Sequence, residues 1–351
     1  MEIKGLGDLK RLTLAAVVAA AVFPVSAFAQ SVEQFYSGKT INLIVPYATG
    51  GYYDTGARLV ARHFGRYMPG QPALVVQNQP GVGGISLANR FATGARNDGL
   101  ELGVLQRALP QYAFVGYQNT NFDPLKLTWI GSLSGYESDS YVLTINKSHP
   151  ANTLEKLRTS GVKTQLGAGR SGSANLLYSL IAKDLLKLNV DLVRGYDGNA
   201  TIFLAQQRGE VDGLFSDLST LKSANADAWN RRDVVPIVQF GRKARLPELQ
   251  DVPTARELVS DPEQRELLEF AELPFFIAWP LAGPYGIPAD RLKALQEAFL
   301  AMAADPAFLE EARRMSFEVD PVPGPKVSEL IAQAAKTKTA LREKFLALVS
   351  Q

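Results

Sequence analysis

The sequence predicts an α/β fold with mixed, largely parallel sheets, built as two lobes around a cleft. Three observations carry this. Strand and helix patterns alternate along the chain. Three glycine-rich loops each stand between a strand and a helix. And the chain reads as leaving one α/β unit, building a second and returning to the first.

Residues 1–29 read as an address rather than as part of the fold. Lys4, Lys10 and Arg11 precede an apolar run over 12–25, and Ala27-Phe28-Ala29 supplies a small-x-small cleavage site. The run is shorter than the ~20 residues of a spanning helix. A mature chain starting near Gln30, exported to the periplasm, is therefore expected. What remains, on the order of 320 residues, suits two domains.

The next segment reads as strand 41–46, the loop Tyr47-Ala48-Thr49-Gly50-Gly51-Tyr52-Tyr53-Asp54, and a helix. Ala57, Val60, Ala61, Phe64 and Met68 make the helix's apolar stripe, and Arg58, Arg62 and Arg66 its solvated face. The unit then repeats as strand 73–77, the loop Gly81-Val82-Gly83-Gly84 and helix 85–93. A third strand, 100–105, leads into Gln106-Arg107. Strands follow at 128–130 and 141–145, and a helix starts at Thr153.

A strand at 164–167 precedes the loop Ala168-Gly169-Arg170-Ser171-Gly172-Ser173 and a helix carrying Leu176, Leu177, Leu180, Ile181 and Leu185 on one face. After it come strand 191–193, the turn Gly195-Tyr196-Asp197-Gly198, helix 199–208 and strands 211–215 and 234–240. Residues 277–281 read as the chain crossing back, and helices are expected at 291–303, 306–315 and 327–348. The first lobe is thus assigned to 30–145 plus 276–351 and the second to 146–275.

Composition excludes several function classes. Lys plus Arg is 37 and Asp plus Glu is 35, for a net charge of +2, which gives no reason to expect nucleic acid as a partner. With no cysteine there is no disulfide, thiol nucleophile or cysteine-ligated zinc, and only His63 and His149 supply imidazoles. No cofactor is expected, and the chain is read as a monomer.

The chemistry gathers on the three loops. In open α/β sheets ligands sit beyond the carboxyl ends of strands. Glycine lets backbone approach a ligand closely, and the first turn of each helix leaves N–H groups unsatisfied at its positive end. Thr49, Ser171 and Ser173 add hydroxyls. The sum is a seat for an anion. No loop fits the phosphate motif G-x-x-x-x-G-K-[ST], and Ser171 lacks the final glycine of a nucleophile elbow. Arg107 and Arg170 read equally as forks for a carboxylate or as structural arginines. Asp54, beside an anion seat, reads as a brace for its own loop, since a carboxylate would repel the ligand.

Val45-Pro46-Tyr47-Ala48-Thr49-Gly50-Gly51-Tyr52-Tyr53-Asp54-Thr55-Gly56-Ala57-Arg58 resembles the signature VPFxxGGxxDxxAR of the Bug/TctC family of periplasmic receptors. Asn78-Gln79-Pro80-Gly81-Val82-Gly83-Gly84 resembles the family's N-x-P-G-A-G-G, and Gly167 to Ser173 its glycine-serine loop. Gly209-Glu210-Val211-Asp212 and Asp251-Val252-Pro253-Thr254 are similar to further segments, in order along nearly the whole chain.

The resemblance implies a type II periplasmic-binding-protein fold whose lobes close on a small organic acid. It also implies delivery of that solute to the permease subunits of a tripartite tricarboxylate transporter. It places one ligand carboxylate at Tyr47, Ala48, Thr49, Gly50, Gly51, Gly83 and Gly84. Arg170, Ser171, Ser173, Tyr196 and Asp217 would select the rest of the ligand. The chain departs from the family at Asp197, where lysine is usual, and at Tyr52 and Tyr53, which stack on a ligand or narrow the cleft. A sensor for a signalling partner would use the same cleft. An exported hydrolase would need a base, nucleophile or metal that these loops do not carry.

Overall fold

The computed structural model describes residues 30–47, 49–50, 52–80, 84–169, 173–315 and 317–350. The expected signal peptide at 1–29 lies outside them, as do Ala48, Gly51, Gly83, Arg170 and Ser171 among the expected site residues. The strands are β1 (Thr40–Val45), β2 (Ala73–Asn78), β3 (Glu101–Val104), β4 (Thr128–Ser132), β5 (Tyr141–Asn146), β6 (Thr164–Gly169), β7 (Val190–Tyr196), β8 (Gly213–Asp217), β9 (Val234–Phe240), β10 (Pro280–Gly283) and β11 (Val322–Pro323).

Two mixed sheets result, with strand orders β11-β4-β10-β3-β1-β2 and β7-β6-β8-β5-β9. In the first, β2, β1 and β3 run parallel, while β10 is antiparallel to both β3 and β4. In the second, β6 runs parallel to β7 and β8, and β5 antiparallel to β8 and β9. Burial follows position in the sheet. Ile41, Leu43, Ile44 and Val45 of β1 are all buried, as a strand covered on both faces requires. The edge strand β2 alternates, leaving Val75 46% exposed.

The structure corrects the sequence reading at four places. Residues 277–281 are only partly a crossing, because Pro280–Gly283 forms β10, with proline tolerated as its first residue. β5 hydrogen-bonds to β8 and β9, so 141–145 belongs to the second sheet rather than the first. The span 327–348 is two helices, Gly324–Ala334 and Thr339–Val349. The second of these packs on Pro262–Glu272 and Ala174–Asp184, helices of the second half, with Phe345 edge-on to Phe270.

The solvated arginine face is also a network. Arg58 pairs with Asp54, Arg62 with Glu311, and Arg66 donates toward His63, whose other ring nitrogen meets Glu311 at 2.5 Å. His149 is likewise structural, accepting the Ala151 N–H at 3.2 Å.

The sheets meet along two neighbouring crossings. Leu133 N–H donates to the Trp279 carbonyl at 3.1 Å, Ala278 N–H to the Ser134 carbonyl at 2.9 Å, and Trp279 N–H to Ser132 Oγ at 3.0 Å. Arg242 then gathers the carbonyls of Tyr136, Glu137 and Asp139 at 2.7, 2.9 and 2.9 Å. One apolar cluster runs through the junction, from Ile44, Leu105 and Leu109 to Tyr141, Phe215 and Phe345.

Candidate ligand-binding cavity

The carboxyl ends of β1, β3, β6 and β8 converge. Tyr47, Arg107 and Ser173 stand just beyond them and Asp217 ends β8, and all four line one cavity of ≈ 590 Å³. That is a volume suited to a small organic ligand. Its far wall is apolar and comes partly from the last helix, through Phe345, Leu348 and Val349.

Asp54 ties Gly50 to the helix after β1 and to the end of β2. Gly50, at φ +88°, donates its N–H to Asp54 Oδ2 at 2.8 Å, and Asn78 Nδ2 reaches Oδ1 at 2.8 Å. Arg58 clamps both oxygens at 3.0 Å. Burial alone would raise the Asp54 pKa, but the hydrogen bonds from Arg58, Gly50 and Asn78 hold it below the ordinary value. The brace expected of Asp54 is present. The same bond corrects the expectation that Gly50 N–H serves a ligand, since that donor is occupied. Thr49 and Gly50 are exposed and do not line the cavity. Gly84, at φ +86°, lies against Pro46 and Leu109, where any Cβ would come within 3.2 and 3.3 Å, and it does not line the cavity.

Aromatic rings form the entrance and one wall. Tyr47 stacks on Tyr53 at 4.9 Å, and Tyr52, 49% exposed at the mouth, stacks on Phe317 at 5.0 Å. Burial pushes the phenols of Tyr47, Tyr53 and Tyr178 upward, so they present O–H groups. Tyr53 Oη accepts the Arg107 backbone N–H at 3.3 Å and so fixes the segment after β3.

Arg107 is the cavity's cation. Its guanidinium lies over the rings of Phe275 and Tyr136, at 5.1 and 5.9 Å. It makes no ion pair and no side-chain hydrogen bond among the described residues. Desolvation lowers its pKa, but nearby Asp217, Tyr53, Tyr141 and Tyr178 more than offset this, so it stays charged. Two buried polar atoms at the lining also lack a partner, Gln111 Oε1 and Tyr136 Oη.

Three carboxylates share the cavity. Asp139 is held by Ser140 N–H at 2.7 Å, Ser219 N–H at 3.1 Å and Ser219 Oγ at 2.5 Å, and burial still raises its pKa. Glu318 accepts from Ser138 at 2.7 Å and Ser134 at 3.4 Å; burial, with Asp139 and Asp320 nearby, pushes it up to about 7. Asp217 ends β8 without capping the helix that follows; burial raises its pKa while Arg107 opposes the rise.

Of the expected site residues within the described chain, Tyr47, Tyr52, Arg107, Ser173 and Asp217 meet at the cavity. Tyr196 does not: it ends the edge strand β7 and packs on a separate apolar cluster with Ile202 and Leu214. Ser173 is turned partly to its own loop, donating to Asn175 Oδ1 at 2.8 Å, which also takes Gly169 N–H at 2.9 Å. Trp279 is fully buried behind Gly56 and Phe317 and does not line the cavity. Asp139, Tyr136, Tyr178 and Glu318 carry no loop signature. Tyr136 and Asp139 stand just after the first crossing, while Tyr178 and Glu318 lie far from both in sequence, so no local signal could have found them.

Residues 57–345 match the family described as tripartite tricarboxylate transporter family receptor, TctC. A UPF0065 protein of the TAR-I ttuE-ttuC' intergenic region of Agrobacterium vitis is 26% identical over 342 residues, covering 96% of this chain and 88% of that one. Among solved structures, a TctC solute-binding protein from Polaromonas superposes with TM-score 0.68 at 19% identity, covering 89% of this chain and 99% of that one. MatC from Rhodopseudomonas palustris with bound malate gives 0.57 at 23% identity, covering 88% and 99%. A second R. palustris protein, with adipate, gives 0.58 at 20% identity, covering 89% and 98%. The last three likenesses establish the fold.

Proposed function

This chain belongs to the tripartite tricarboxylate transporter receptor family, TctC, whose members are solute-binding receptors and not enzymes, and from that premise we propose that it captures a small carboxylate in the periplasm and hands it to membrane permease subunits. The observation that carries the reading is Arg107, a charged guanidinium over two aromatic rings, facing a cavity and paired with no carboxylate among the described residues. An unpaired charge that is half out of water is costly unless a partner arrives. A solute carboxylate is such a partner, bonded through the guanidinium fork at about 1.5–3 kcal/mol per charge-assisted bond. The malate and adipate held by two similar folds are acids of the expected size.

The step is binding with closure. The cavity has walls from both sheets, and their junction consists of the two crossings bonded at Leu133–Trp279 and Ser134–Ala278. A solute touching both walls favours the closed arrangement by the contacts added there. The test is a thermal-shift and calorimetry screen of small organic acids, followed by small-angle scattering with the best binder. Saturable binding with a smaller radius of gyration supports the proposal. Binding by neutral solutes alone, or binding without compaction, overturns the carboxylate or the closure part respectively.

A further inference from the structure

Among the described residues, the charge of the cavity's lining does not suit a dianion. Among the described residues its lining holds one guanidinium, Arg107, against three carboxylates, Asp139, Asp217 and Glu318. Two of these acids are already engaged. Asp139 accepts from Ser140 and Ser219, and Glu318 from Ser138 and Ser134. Asp217 differs, because no other described residue donates a hydrogen bond to its carboxylate or pairs with it. Arg107 and Asp217 are close enough to influence each other's ionisation, yet no ion pair joins them. Each is an unmatched charge looking into the same chamber.

We propose, resting on the carboxylate reading above, that the solute is an amino-carboxylate: its carboxylate meets Arg107 and its protonated nitrogen meets Asp217. The aromatic wall fits this assignment. Tyr52, Tyr136 and Tyr178 line the chamber, and ring faces attract an ammonium group where water is excluded. Asp139 and Glu318 reinforce the negative field without giving up their own hydrogen bonds. A second carboxylate in place of the nitrogen would meet Asp217 as a like charge at low effective dielectric. Burial raises the pKa of Asp217 and Glu318, a cost that a second carboxylate would increase and an ammonium beside them would offset.

The experiment is isothermal titration calorimetry on the full mature chain and on Asp217→Asn. The probes are straight-chain acids of three to six carbons, each as the plain acid, the ω-amino acid and the dicarboxylate, together with the protein amino acids. Asp217 makes no capping bond to the helix after it, so the asparagine variant is expected to fold, which circular dichroism checks. In the native chain the best amino-carboxylate should bind about tenfold or more tighter than the dicarboxylate of equal length. Asp217→Asn should reverse that order, weakening the amino-carboxylate and strengthening the dicarboxylate. A dicarboxylate that binds best to the native chain, or an equal loss for both classes in the variant, overturns the inference while leaving the carboxylate reading intact. Failure of every acid, with or without nitrogen, overturns both.

Discussion

Gly50 donates its backbone N–H to Asp54 at 2.8 Å, so the loop after β1 is closed by its own carboxylate. The same side chain holds Asn78 at the end of β2 and Arg58 one helical turn on. Gly50, Arg58 and Asn78 are therefore held as one body by Asp54.

Replacing Asp54 by alanine should loosen that body. Losing the bonds to Gly50, Asn78 and Arg58 should cost on the order of 2 kcal/mol, seen as a lower midpoint in urea. Asp54 is buried with a lowered pKa, so its stabilising effect is present above the unfolded carboxylate value, near 3.9. It is lost as pH falls through the folded value. The native chain should lose this part of its stability in acid, and Asp54→Ala should have none to lose.

Arg107→Met should separate binding from stability. Because no ion pair among the described residues is broken, the melting temperature should stay the same or rise, as replacement of a desolvated charge by an apolar chain often allows. Affinity for the carboxylate solute should drop about 10–100-fold. Calorimetry beside differential scanning fluorimetry reads both.

Glu318 predicts the opposite pH response to Asp54. With a folded pKa raised to about 7, the native state holds a proton that the unfolded chain has released. Stability is then greatest below the unfolded value and declines as pH rises to about 7. Asp139 and Asp217 are raised in the same direction. Glu318→Gln should flatten the decline, with a melting temperature about 2–4 °C above the native chain at pH 8 and little difference at pH 5.

Arg242→Ala should act on the crossing. Its guanidinium joins the carbonyls of Tyr136, Glu137 and Asp139, and its loss should cost roughly 1–3 kcal/mol. Amide exchange should accelerate at 137–140, and solute affinity should weaken because Tyr136 and Asp139 lose their support. Unchanged exchange there would remove Arg242 from the junction.

Much of this was legible in the chain. Ile41 to Val45, a run apolar on both faces, and the glycines after it fixed β1 and its loop, and Arg107 stood out as a charge directly after a strand. Other features rest on distant residues. Nothing near Glu318 in sequence announces Asp139, and Tyr178 meets Phe275 at 5.0 Å only once both sheets are in place. The two final helices read as one because no glycine or proline marks the break at 335–338. Gly50 shows the limit of motif reasoning, since a donor suited to an anion was satisfied by the protein's own.

The position of the final helix has a consequence for how the receptor is made. Phe345, Leu348 and Val349 finish a chamber whose opposite wall begins at Tyr47. The ribosome therefore supplies the first and last pieces of the pocket nearly three hundred residues apart, and joining them requires some of the longest-range contacts in the molecule, the kind that form slowly. A nascent chain halted a dozen residues short would carry both sheets yet present an uncovered apolar floor, a form for chaperones to hold rather than one that binds.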